Sequence, residues 1–151
     1  ADSSGLIGES HLPEPHLIPI VLETAIGKRE KVLVFGNDYT TNDGTCIRDY
    51  IHVNDLADAH LKAIDYLYKV GDSQIINLGT GVGNSVLDII NRAINITGKK
   101  INYQIVERRA GDPAVLVADF TKAEKLLNWK PKFSIDQIIS TAWNWHQNPK
   151  Y

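Results

Sequence analysis

The apolar positions of this 151-residue chain switch repeatedly between a helical and a strand-like period. In "HLIPIVLETAIGKRE", Leu17, Val21 and Ala25, then Ile18, Leu22 and Ile26, fall on one face of a helix. Pro19 occupies its first turn, where a missing N–H does no harm, and Gly27 can end it. "KVLVFG" (31–36) reads as a strand closing in a turn, and "CIRDYIHV" (46–53) as a strand reached through the polar loop 38–45. Asn54 or Asp55 is expected to cap a helix to about Lys69 that buries Leu56, Ala59, Ala63 and Leu67. A buried strand "SQIINLG" (73–79) follows. The helix "VLDIINRAINIT" (86–97) comes next, opened by Ser85 and Asp88 as a capping box and closed by Gly98. "KINYQIVE" (100–107) and "AVLVAD" (114–119) read as strands on either side of the turn "RRAGDP". The short helix 121–129 has Thr121 and Glu124 placed as a capping box and stops before Pro131. In the last helix, 134–146, Ser134 is the cap, with Gln137 three residues on.

Strands and helices alternate, so the fold class is α/β with mostly crossover connections. No linker or internal repeat divides the chain, and residues 1–151 read as one unit. The hydrophobic content of 43% is enough for one packed core. A formal net charge of −2 gives no basic face for nucleic acid, and no apolar run approaches the length of a membrane span. The opening "ADSSGLIGES" has neither the basic nor the apolar region of a signal peptide. With Cys46 as its one cysteine the chain has no internal disulfide, and a cytoplasmic location is expected.

"INLGTGVGNSVLDII" (76–90) has the strand, glycine loop and helix of a dinucleotide-phosphate site. Gly79 and Gly81 fill two glycine positions of that fingerprint, but the third falls on Asn84. About 20 residues on, where an acid should follow a second strand, stand Lys99 and Lys100. A tight structural turn is the reading this near-match favours. Two arginine segments carry more chemistry. Arg48 stands at a loop mouth beside Asp49 and Tyr50, and "ERRAGDP" holds Arg108, Arg109 and Asp112. Guanidinium forks meeting at one cleft suit a diphosphate, and a carboxylate accepts from sugar hydroxyls. The alternative, Arg48 paired with a nearby acid and a solvated arginine pair, stands level with it. His11 and His16, like His52 and His60, lack the i,i+4 spacing of a helical metal site, with no acid or cysteine suggestively placed beside them. Structural or surface roles are expected for all four. Trp129, Trp143 and Trp145 are expected to pack a core or a partner surface, and Cys46 to be an inert thiol.

At "DGTCIRDYIHVNDLADAHLKAI" the chain resembles the UDP-glucose 4-epimerases of the extended short-chain dehydrogenase/reductase superfamily. "HLIPIVLETAIGKRE", "VFGNDYTTNDGT", "INLGTGVGNSVLDII", "RRAGDPAVLVAD" and "LLNWKP" continue the likeness in order over essentially all 151 residues. The resemblance implies the C-terminal half of such an enzyme. The N-terminal half of the family binds NAD and carries the Tyr-x-x-x-Lys pair. Here none of the tyrosines has lysine four residues on, no intact Gly-x-x-Gly-x-x-Gly occurs, and no catalytic or cofactor-binding residue is assigned.

Carried over position by position, Arg48 and Arg109 would grip the diphosphate of UDP-glucose or UDP-galactose. Asp112 would accept from a ribose hydroxyl, and Tyr50 would line the cleft. Val34 and Phe35 would meet the uracil through backbone groups, and His16 and Leu17 would offer helix-start amides to phosphate. Leu116 stands where some members that handle only plain hexoses carry a bulkier tyrosine, and the smaller leucine would be compatible with an N-acetylated sugar. The implied reaction is interconversion of UDP-galactose and UDP-glucose by transient 4-keto oxidation with NAD. This half would anchor UDP and be inactive without the other. Implied partners are that N-terminal half and a second copy of the full enzyme in a homodimer. Half of a UDP-N-acetylglucosamine or UDP-glucuronate 4-epimerase, or a non-catalytic UDP-sugar-binding module, are the alternatives.

Overall fold

A computed structural model of the chain describes residues 1–150. In order, the elements are α1 (Leu17–Ala25), β1 (Val32–Phe35), β2 (Ile47–Asp49), α2 (Val53–Val70) and β3 (Gly83–Ser85). Then come α3 (Val86–Thr97), β4 (Tyr103–Val106), β5 (Val115–Leu116), α4 (Thr121–Leu127) and α5 (Ile135–Gln147). The strands form two small sheets. β1 pairs parallel with β4, while β2 lies between antiparallel β3 and parallel β5.

Two apolar clusters follow from the helical periods. One joins Ile18, Val21 and Leu22 of α1 to Val32 and Val34 of β1, Ile89 and Ile90 of α3, and Ile138 and Ile139 of α5. Each fully buried aliphatic side chain there contributes about 1.5–3 kcal/mol relative to exposure. The other gathers Ala59 of α2 with Ala123 and Leu127 of α4 around Trp129. The Trp129 indole donates to the Asp55 carbonyl at 2.9 Å, and its ring meets Phe120 edge-on. The buried Asp55 carboxylate accepts from the backbone N–H groups of Lys132 and Phe133 at 3.0 and 3.1 Å, pinning the α4–α5 link to the start of α2. All three tryptophans are buried, as expected.

Ser134 and Gln137 form a full capping box, whereas Ser85 accepts the Asp88 N–H at 3.0 Å while the Asp88 carboxylate turns to Arg92, so the expected box there is only half made. Other caps depart from the expectation. The N-cap of α2 is His52, whose Nδ1 accepts from the Asn54 N–H at 3.0 Å, so Asn54 and Asp55 lie inside the first turn. Thr121 and Glu124 make no capping box: Phe120 holds the N-cap position, and Asp119 accepts the Thr121 N–H at 2.8 Å. Leu67 is half exposed, and Leu56 and Ala63 are only partly buried. The expected strand 73–79 has no ladder partner among the described residues and is irregular, with Ile75 90% exposed. The expected strand 46–53 contracts to Ile47–Asp49, while Gly83–Ser85 of the glycine loop forms a strand against it.

Candidate functional site

The glycine loop is organised by a side chain from β2. The Asp49 carboxylate accepts from Thr80 N–H at 2.9 and 3.0 Å, from the Thr80 hydroxyl, and from Gly81 N–H at 2.9 Å. The amides that would face a dinucleotide phosphate are thus occupied by the protein's own carboxylate. Gly79 is required by that approach, since a Cβ there would stand 2.5 Å from Asp49 Oδ2 and 2.6 Å from the Ala118 Cβ. Asn84, at the failed third glycine position, sits on β3 opposite Arg48. The loop is a structural turn, and its residues do not fit NAD.

The arginines converge elsewhere. A cavity of about 710 Å³ is lined by the start of α1 (His16, Leu17, Ile18), the exposed face of β1 (Leu33, Phe35), β2 with its continuation (Arg48, Tyr50), and the turn after β4 (Arg109, Asp112). Arg48 is held in place by Nη1 donating to the carbonyls of Ile47 and Pro113 at 2.8 and 2.9 Å, and its Nη2 lies 3.5 Å from Asp112 Oδ1. Arg109 lays its guanidinium on the Phe35 ring, 3.7 Å from the centroid, while Arg108 turns away onto Tyr39 and pairs with Asp38. Both readings of Arg48 are therefore realised at once, as it pairs with an acid and shares a cleft with Arg109.

Four basic side chains (Arg29, Lys31, Arg48, Arg109) face two acids (Glu9, Asp112) across the cavity wall, an excess of positive charge in a chain of net charge −2. The His16 N–H, expected to meet phosphate, donates instead to Glu14 Oε1 at 2.8 Å, and Pro19 has none to offer, so the α1 amides without an intrahelical acceptor at the rim are those of Leu17 and Ile18. Burial pushes the Tyr50 phenol well above its ordinary range, which keeps it a neutral hydroxyl in the cavity. His52 also lines the space, but Nδ1 accepts from Asn54 N–H and Nε2 meets the Thr141 hydroxyl at 3.1 Å, so it is a structural group.

Seven expected residues (His16, Leu17, Phe35, Arg48, Tyr50, Arg109 and Asp112) share this cavity; Val34 and Leu116 do not. Val34 points into the core. Its backbone also faces β4, because Val32 N–H and Gly36 N–H both donate to that side and alternation places Val34 with them. The backbone groups on the open edge belong to Leu33 and Phe35. Leu116, on β5, is exposed outside the cavity. Leu33, Arg29, Lys31 and Cys46 also line the space without having been singled out as ligand contacts. The signal for Leu33 was present in the period of two that pairs it with Phe35.

The chain belongs to the family described as GDP-mannose 4,6 dehydratase, whose model matches residues 3–142. Curated proteins similar to this chain include UDP-glucose 4-epimerases. That of Halalkalibacterium halodurans is 53% identical over 148 residues, 97% of this chain and 44% of that protein. A crystal structure of a UDP-glucose 4-epimerase superposes with a TM-score of 0.95 at 50% identity, over 99% of this chain and 46% of the other. The enzyme from Bifidobacterium longum, solved in complex with NAD+ and UDP, gives a TM-score of 0.90 at 44% identity, over 99% of this chain and 45% of the other. The chain thus spans less than half the length of the relatives it matches, and its α/β fold is that of a portion of an extended short-chain dehydrogenase/reductase.

Proposed function

We propose that this chain is the UDP-sugar-binding part of a UDP-glucose 4-epimerase, working with an NAD-binding half that the 151 residues do not contain. The observation that carries the reading is the convergence of Arg48, Arg109, Asp112, Tyr50 and the α1 amides on one cation-rich cavity. In this reading Arg48 and Arg109 hold the diphosphate as charge-assisted donors, and the Leu17 and Ile18 amides add a helix-terminus contact. Asp112, kept in place by Arg48, accepts from the ribose, while Leu33 and Phe35 offer open-edge backbone groups to the uracil. NAD, held by the other half, supplies the hydride acceptor and donor at C4 of the sugar. The residues of this chain contribute binding and orientation, fixing UDP while the sugar presents either face.

Coupled conversion of UDP-galactose to UDP-glucose tests the proposal, with the chain joined to an NAD-binding half and then alone. Turnover is expected only in the joined protein. A sugar panel accompanies it: conversion of UDP-N-acetylglucosamine or UDP-glucuronate but neither plain hexose would overturn the substrate assignment. UDP binding without turnover in the joined protein would overturn the enzymatic reading in favour of a binding module.

A further inference from the structure

The segment leading into α1 gathers four metal-ligating side chains that the sequence spacing did not suggest. Glu9, His11, Glu14 and His16 each offer one ligand atom, and these atoms all lie within 4.8 Å of one another. We propose that this cluster is a binding site for a borderline divalent transition metal, with zinc as the type ion. Two imidazoles and two carboxylates match a four-coordinate zinc centre in donor number and kind. The oxygen shells of magnesium and calcium do not call for imidazole. Zinc–ligand bonds of about 2.0–2.2 Å place neighbouring donors roughly 3.4 Å apart. Closing on an ion therefore needs only small shifts, and three of the four side chains are exposed and able to make them.

The burial of the fourth points the same way. The Glu14 side chain is 5% exposed, and both of its hydrogen bonds fall on Oε1, from His16 N–H at 2.8 Å and His16 Nδ1 at 2.7 Å. His16 satisfies this carboxylate through Oε1, and among the described residues no hydrogen bond engages Oε2, which is left to an ion. The acids hang from a fixed backbone. Trp145 Nε1 donates to the Glu9 carbonyl at 2.8 Å, and Arg29 Nη2 to the Glu14 carbonyl at 3.3 Å. The cluster therefore has the preformed backbone of a site rather than the looseness of a surface tail.

The test is zinc titration, against a chromophoric chelator, of the polypeptide in which these residues follow an NAD-binding half. Cobalt substitution is read alongside by visible absorption. One zinc equivalent with intense four-coordinate cobalt bands is expected. H11Q and E9Q should each weaken that equivalent roughly tenfold or more, while H60Q, on α2 and outside the cluster, leaves it unchanged. His11 is exposed, so H11Q should keep the wild-type circular dichroism and thermal midpoint, which separates lost ligation from lost fold. Substoichiometric binding, weak six-coordinate cobalt bands, or equal loss in H60Q and H11Q would overturn the site. UDP affinity of the same samples is read separately, so failure here leaves the nucleotide-sugar reading standing.

Discussion

Asp49 settles how the glycine-rich loop is used, because one carboxylate takes the amides a phosphate would need. Asp49→Asn replaces charge-assisted bonds by neutral ones with a mismatched NH₂ group, and should cost about 2–3 kcal/mol of stability, read as a lower urea midpoint. Gly79→Ala forces a methyl against Asp49 and Ala118 and should cost about 1–3 kcal/mol in the same assay. The arginines separate binding from folding. Arg109 rests on the Phe35 ring, so Arg109→Met should weaken UDP by roughly 10–100-fold while barely moving the urea midpoint. Arg48→Met should lose as much affinity and also stability, since it frees two carbonyls and leaves Asp112 without its guanidinium. Equal stability loss in both variants, by calorimetry and denaturation together, would contradict this division. Residue types brought Arg48, Arg109 and Asp112 forward only level with a plain surface reading, and the family resemblance supplied the roles expected of them. The direction of Val34 was less legible still, because which edge of a strand stays open depends on the sheet and not on the strand's own residues.

Among the elements, α3 and α5 were readable because serine caps and an apolar stripe agree. The start of α2 was not, because an imidazole acceptor lies outside the usual capping set and its role depends on Phe133 and Thr141, far along the chain. His52 must stay neutral to accept the Asn54 N–H, and burial lowers its pKa from the ordinary value near 6.5. The unfolded chain therefore binds the proton more readily than the folded one just below that value. Stability from this group is complete above about pH 6.5 and falls as pH drops toward the folded pKa. His146, lowered by burial as well, adds a slope of the same sign. Denaturation midpoints from pH 7.5 to 5 should therefore decline in the wild type and decline less steeply in His52→Gln, with the His146 share remaining. An unchanged slope in that variant would remove His52 from the pH dependence.

On the scale of the whole molecule, α2 is apolar on two sides. Ala59 packs toward α4, while Leu61, Ile64, Leu67 and Tyr68, the last 88% exposed, recur at helical spacing on surface left open. Asn54, Asp55, Asp58, Lys62, Asp65 and Lys69 form one polar stripe, and an apolar face wider than α4 covers belongs against a further body. Beside it runs the segment 73–79, β-rich in sequence and without a ladder. Together they explain why a strand legible in the residues is missing from the fold: a strand exists only with a neighbour, and none pairs with 73–79 among the described residues. In the proposed enzyme the NAD-binding half would cover α2 and extend a sheet to 73–79. The isolated chain should accordingly bind a hydrophobic dye and self-associate as concentration rises in sedimentation velocity, because contiguous exposed apolar surface of this kind drives association. Joined to the NAD-binding half it should lose the dye signal, and the amides of Ile75, Ile76 and Asn77 should gain protection from hydrogen exchange. A chain that stays monomeric and dye-silent alone, with those amides equally unprotected in both forms, would show that this face is not where the other half docks.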